Sequence, residues 1–257
     1  MSTGLEIPRG IAGSHTPEFL ASASLRMTDK LFATLAVYKD AAAHSAAMNM
    51  GIDEALLELA DVPSIRFYGW RSPALSFGYF GRFSDVALYA TQRDLIRRWT
   101  GGGIVLHGTD LTYSIVIPAS DPTFGESSVT IYEQIHRALA DSLNAVGQQA
   151  ELVSPARCAD RKPQRVVPAY NCFASPVRAD VMINGRKVAG AAQRRTRRGL
   201  LQQGSIQGVI FANDVAERFA RSLSANRSQL EINEQILKRA GELVDQKYGS
   251  YSWLHKR

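Results

Sequence analysis

The chain has 257 residues, 45% hydrophobic and 21% charged, with a formal net charge of +6 and two cysteines. It is long enough to bury a sizeable core, and its composition is that of a globular protein rather than a disordered or fibrous one. No apolar run approaches the roughly 20 residues that span a bilayer, and two cysteines are too few for a disulfide framework, so no membrane partner and a reducing, cytoplasmic setting are expected.

Residues 1–26 carry scattered Gly, Ser, Pro and His without an apolar signal core, which predicts a disordered leader followed by a single domain over 27–257. Residues 31–38 read as a first strand and 49–60 as a helix, with Met50, Leu56, Leu57 and Ala60 on one face. Two strand-like runs, 64–70 and 74–80, flank a short Arg-Ser-Pro turn. Residues 94–98 then lead into Gly101-Gly102-Gly103, an apolar run ending at His107, and a second run over 111–118 rich in β-branched residues. A helix over 131–146 has Thr130 and Glu133 in capping-box positions and Ile131, Ile135, Leu139, Leu143 and Val146 as its buried stripe. Residues 151–169, rich in Pro and Arg, suit a surface loop. Strands at 180–183 and 187–191 meet at Asn184-Gly185, a strong signal for a tight hairpin. Residues 200–207 form a further strand, and from 213 onward the pattern is helical. Strands grouped centrally with helices between them imply an α+β fold, a mixed or antiparallel sheet flanked by helices.

Three features carry chemical potential. Glycines without Cβ allow a positive φ and let a ligand approach the main chain closely, so the triplet is either such a loop or a plain turn. It fits neither the phosphate-loop nor the dinucleotide-binding spacing. Cys172 lies between a basic loop and the hairpin, and Lys187 follows fifteen residues later. An ammonium near a thiol favours the thiolate. Cys158 has no comparable motif around it. Finally, residues 157–198 hold eleven Lys/Arg against two Asp, a local charge of +9. Few aromatics are interleaved with these charges, which argues for acidic protein partners over a base-stacking, nucleic-acid surface.

Together the segments Arg97-Arg98-Trp99-Thr100-Gly101-Gly102-Gly103-Ile104-Val105-Leu106-His107 and Asn184-Gly185-Arg186-Lys187-Val188-Ala189-Gly190-Ala191-Ala192-Gln193-Arg194 resemble the two signatures of the biotin/lipoate protein ligase and acyltransferase superfamily. Residues 48–57 and 65–70 are similar to the N-terminal part of its lipoate branch. The resemblance implies a mixed sheet with helices and an acyl tunnel walled by the Gly-rich loop and the lysine strand. Cys172, Phe173 and Lys187 resemble the octanoyltransferases of lipoate assembly. That implies Cys172 as the acyl-carrying nucleophile and Lys187 as its activator. Arg98, Thr100, Gly101, Gly102, Gly103, Ile104, Val105, His107, Gly190, Ala191, Ala192 and Arg194 are then expected to bind substrate. The implied donor is an acyl carrier protein, and the implied acceptor is a lipoyl-domain protein such as glycine cleavage H protein or a 2-oxoacid dehydrogenase E2. No cofactor is expected. Gly103, however, is the residue typical of ATP-dependent lipoate ligases, for which ATP and Mg²⁺ would be needed. A binding module that has lost its chemistry, holding an acyl chain or nucleic acid, is the third alternative.

Overall fold

A computed structural model describes residues 1, 30–154, 176–209 and 214–256. The larger sheet has eight strands in the order β11-β1-β2-β6-β10-β9-β8-β7. These are β1 (Leu35–His44), β2 (Ser64–Trp70), β6 (Leu111–Pro118), β7 (Ala150–Leu152), β8 (Val181–Ile183), β9 (Arg186–Arg195), β10 (Gly199–Ile206) and β11 (Arg227–Leu230). β1 runs parallel to β11 and β2, and the remaining pairs are antiparallel. A smaller sheet places β3 (Ala74–Phe77) between β4 (Asp94–Arg97) and β5 (Val105–His107). The expected mixed sheet with helices is what forms. No helix among the described residues is long and apolar enough to cross a membrane.

Both faces of the large sheet are covered, because its central strands are apolar on both sides of the pleat. On one face Leu35, Val37, Ile65, Ile115 and Ile117 pack against α2 (Ser128–Asn144) and α3 (Val215–Leu223). On the other, Ala36, Tyr38, Val116 and Leu201 meet α1 (Ala46–Leu59) and α4 (Glu234–Leu243). α1 crosses α4 closely at Gly51, where a Cβ would lie 2.7 Å from the Ala240 carbonyl oxygen. Only glycine allows that approach.

Several expected boundaries move, each for a local reason. The first strand begins at Leu35 and runs on to His44, since the exposed Ala41–Ala43 segment, which carries no burial signal, only interrupts the register with β2 between the Asp40–Tyr68 and His44–Trp70 pairs. α1 begins at Ala46 because Ser45 caps it, accepting from the Met48 N–H at 3.3 Å. Likewise α2 begins at Ser128 with Ser127 as its cap. Thr130 is therefore inside the helix, and Glu133 pairs with Arg137 and Arg178 instead of turning back to a cap. β3 stops at Phe77, because Gly78 must nest against the backbone of Gly101 and Gly102. The hairpin forms where expected, with Asn184 at φ 51 and Gly185 at φ 75, the two positive values that such a turn requires. β9 continues to Arg195. The polar edge strand β11 and the short β7 have no apolar alternation to announce them. The expected leader and most of the 151–169 loop lie outside the described residues.

Candidate active site

Polar residues placed in otherwise apolar strands build the site. Arg66 of β2 is fully buried and donates to Asp53 at 2.8 Å, to Asp40 at 2.7 Å and to the Asn49 side chain at 2.7 Å. Asp53 also accepts from Tyr68 (3.0 Å), Ser114 (2.7 Å) and Gln203 (2.7 Å). Gln203 in turn accepts from the Thr100 hydroxyl at 2.7 Å. Burial, with the Asp53 carboxylate beside it, pushes the Tyr68 phenol well above its ordinary range. A buried ionic network is an expensive device unless every member is satisfied. Here it ties α1, β2, β6 and β10 together and fixes the floor of a narrow chamber.

One wall of that chamber is the strand of small residues Gly190, Ala191 and Ala192, with Gly204 beside it. Met50, Tyr68 and Trp70 form an apolar side, while Arg98, Val105 and His107 come from the small sheet and the loop after β4. Lys187 closes one end. Its side chain folds back along β9 over Gly190, where a Cβ would lie 2.6 Å from both the Lys187 Cε and Nζ. The ammonium is 8% exposed as a residue and pairs with Asp180 at 2.7 Å.

Asp180 is itself anchored. It accepts from the Val177 N–H and from the Tyr132 hydroxyl, both at 2.6 Å, and follows Ala179, whose φ is 64. Tyr132 also accepts from the Ala191 N–H at 3.1 Å, tying α2 to the chamber wall. Burial first, and Asp180 second, raise the Tyr132 phenol far above its ordinary value, so it remains a donor to the carboxylate.

His107 sits between Ser76 (Nε2 to Oγ, 2.7 Å) and Asp110 (Nδ1 to Oδ2, 2.8 Å), stacked on Trp70 at 4.0 Å between ring centres. Ser76 accepts from Arg98 at 2.6 Å. Arg98 can only donate and an ionised Asp110 can only accept. The neutral imidazole therefore carries its proton on Nδ1, and the Ser76 hydroxyl donates to Nε2. Burial lowers the His107 pKa, opposed by Asp110 and reinforced by Arg98 and Arg93. For Asp110, burial pushes upward, but bonds from His107, Ser205 and Gly108 outweigh it and leave the carboxyl below its usual range. Both groups thus stay in the form this chain of bonds needs.

The structure brings Lys187, Gly190, Ala191, Ala192, Arg98, Val105 and His107 together around one chamber, with Thr100 behind Gln203. It does not bring the glycine triplet there. The carbonyls of Gly101 and Gly103 turn to Arg98, accepting at 3.0 and 2.9 Å. Gly102, Gly103 and Ile104 border a separate small pocket beside Phe77 and Gly78. Gly102 takes φ 84, a value that favours glycine. Arg194 lies further along β9, stacked over Trp99 at 5.0 Å and Tyr79 at 5.2 Å. Cys172 and Cys158 lie outside the described residues. Sequence reasoning missed Met50, Ser76, Thr112, Gln203 and Ser205, all of which line the chamber. The available signal was a polar residue inside an apolar strand: Ser76 in Ala-Leu-Ser-Phe, Thr112 in Leu-Thr-Tyr, Gln203 after Leu-Leu-Gln.

Residues 45–240 match the family model of the lipoyl protein ligase A/B catalytic domain. Octanoyltransferase LipM of Macrococcus caseolyticus is 34% identical, the match covering 77% of this chain and 74% of that protein. Octanoyltransferase LipM of Brevibacillus brevis is 37% identical over 84% of this chain and 96% of its own length. A structure of the bipartite lipoate protein ligase of Thermoplasma acidophilum superposes with a TM-score of 0.64 at 19% identity, covering 88% of this chain and 96% of that one. It shares the fold.

Proposed function

The chain belongs to the lipoyl protein ligase A/B catalytic-domain family, and from that premise we propose that it is an octanoyltransferase of protein lipoylation, moving octanoyl from an acyl carrier protein thioester to a lysine of a lipoyl domain. The family places it among enzymes of protein acylation, and the LipM relatives support octanoyl as the group moved. The single observation carrying the mechanism is Lys187. It is a nearly buried ammonium held by Asp180, bordering a chamber with Gly190, Ala191 and Ala192 of the same strand along one wall. Side chains this small let an extended acyl chain lie flat on the strand.

In the proposed reaction the Cys172 thiolate attacks the thioester carbonyl. The carbon–sulfur bond to the carrier breaks, and the carrier thiol leaves with one proton. The octanoyl group is then a thioester of Cys172. The acceptor lysine, as a neutral amine, attacks the same carbonyl. An amide forms, Cys172 departs as thiolate and the amine proton passes to solvent. Lys187 favours the thiolate and stabilises negative charge developing on the carbonyl oxygen. Because the thioester already stores the activation energy, neither ATP nor Mg²⁺ is required. The +9 segment steers acidic protein partners to the site.

The test is transfer from octanoyl carrier protein to a lipoyl domain with ATP and Mg²⁺ absent. Acceptor mass should rise by one octanoyl group. Strict dependence on ATP with octanoic acid as donor, and no use of the thioester, would assign the chain to the ligases instead.

A further inference from the structure

A second space opens against the chamber. It is a groove of about 720 Å³, with Pro73, Leu106, Gln207 and Gly208 among its lining residues. Its cations are Arg93, Arg186 and Lys187. His107 and Lys187 border both spaces, so the groove adjoins the chamber at the lysine beside which the acyl carbonyl is proposed to react. Asp110 is the one carboxylate among its described lining residues. It is occupied by His107, Thr112, Ser205 and the Gly108 N–H. Lys187 is paired with Asp180, so among the described lining residues the positive charge that the groove presents is that of Arg93 and exposed Arg186.

An octanoyl chain, whose tail is wholly apolar, has no use for a space lined by arginines. The groove matches the other half of a thioester donor, a flexible arm with amides and an apolar branch that ends in a phosphodiester. Resting on the transfer reading above, we infer that this groove binds the phosphopantetheine arm of the donor, with Arg186 taking its phosphate. Leu106, 39% exposed, offers the apolar contact. Gln207 is held in place by donating to the Leu106 carbonyl at 2.8 Å. Arg186 and Lys187 are neighbours on β9, and their side chains diverge. Lys187 folds inward over Gly190, whereas exposed Arg186 lies outward across Gly208. Arg186 touches the Gly208 carbonyl at a long 3.4 Å. A guanidinium so loosely engaged keeps its fork of donors available for a phosphate. Gly208, at φ 67, leaves the room that Arg186 occupies.

The experiment uses two donors without carrier protein, S-octanoyl-4′-phosphopantetheine and S-octanoyl-pantetheine, so that surface steering by the carrier drops out. Wild type should prefer the phosphorylated donor roughly tenfold in kcat/KM, chiefly through KM, the scale of one charge-assisted pairing. In Arg186→Gln that ratio should fall to about one, and Arg186→Lys should keep part of it. Equal use of both donors by wild type overturns the assignment. So does an undiminished preference in Arg186→Gln, or a wild type active only with the whole carrier. Inactivity with every thioester, carrier-borne included, would instead refute the transfer reading itself.

Discussion

Gly190→Ala separates the chemistry of the site from the stability of the fold. A methyl group at this position would stand 2.6 Å from the Lys187 Cε and Nζ and 3.1 Å from Asp180 Oδ1. Ordinary contact begins near about 3.4 Å, so the ammonium must retreat by roughly 0.8 Å. The 2.7 Å pair with Asp180 then stretches or re-forms elsewhere. The displaced atoms are the end of a flexible side chain, and Gly190 lies within β9 without a positive φ. Alanine is better in a strand than glycine, so stability should change by less than about 1 kcal/mol. Catalysis should respond very differently, because a misplacement of about 1 Å can lower a rate on the order of 10²-fold. Steady-state octanoyl transfer and a thermal melt measure the two quantities on the same sample. Activity within twofold of wild type would show that the position of Lys187 does not matter. A large loss of melting temperature would show that the displaced Lys187–Asp180 pair supports the fold as well as the chemistry, and would refute the separation of the two.

Other consequences are equally checkable. Arg97 is 1% exposed and donates to the carbonyls of Tyr79, Gly81, Trp253, Leu254 and Lys256, so it pins the turn at 253–256 to the loop after β3. Arg97→Ala should lose roughly 3 kcal/mol or more in a urea titration, from orphaned carbonyls and a cavity together; a loss below about 1 kcal/mol would refute the clamp. His136 donates to the Ala179 carbonyl at 2.7 Å and lies 3.0 Å from the Tyr113 hydroxyl, with its pKa pushed down to about 4 by burial. The unfolded imidazole takes up its proton near about 6.5, before the folded one does. Stability from this group is therefore complete above about pH 6.5 and declines toward pH 4, by on the order of 3 kcal/mol. Denaturant midpoints should follow that slope in wild type and flatten in His136→Gln, whereas equal slopes would dismiss His136 as the cause.

What the sequence made legible is what short-range pattern encodes. The Asn184-Gly185 turn, the stripe of α2 and strand β2 are local, and each forms where expected. The lysine strand was legible through its family signature. The site's electrostatics were not, because they are distant in the chain. Tyr132, Asp180, Lys187 and Ala191 meet only once α2 packs on β8 and β9. Nor does local pattern tell that Arg66 will pair with Asp40 and Asp53 from two different elements. The glycine triplet has a partner that no local pattern announces: two of its carbonyls turn onto Arg98, and Gly78 nests against its backbone. Strand β11 escapes notice because an edge strand covered by solvent has no reason to be apolar.

The covalent step is the centre of the account, and one measurement addresses it directly: intact mass after mixing the protein with octanoyl carrier protein alone, without ATP or acceptor. Wild type and Cys158→Ala should each gain one octanoyl group, removed by hydroxylamine as a thioester is, while Cys172→Ala should gain none. Lys187→Ala should acylate slowly near neutral pH and partly recover toward about pH 8.5, where solvent alone supplies the thiolate. A Cys172→Ala protein that takes up octanoyl, or that transfers it to the acceptor at the wild-type rate, would contradict the mechanism.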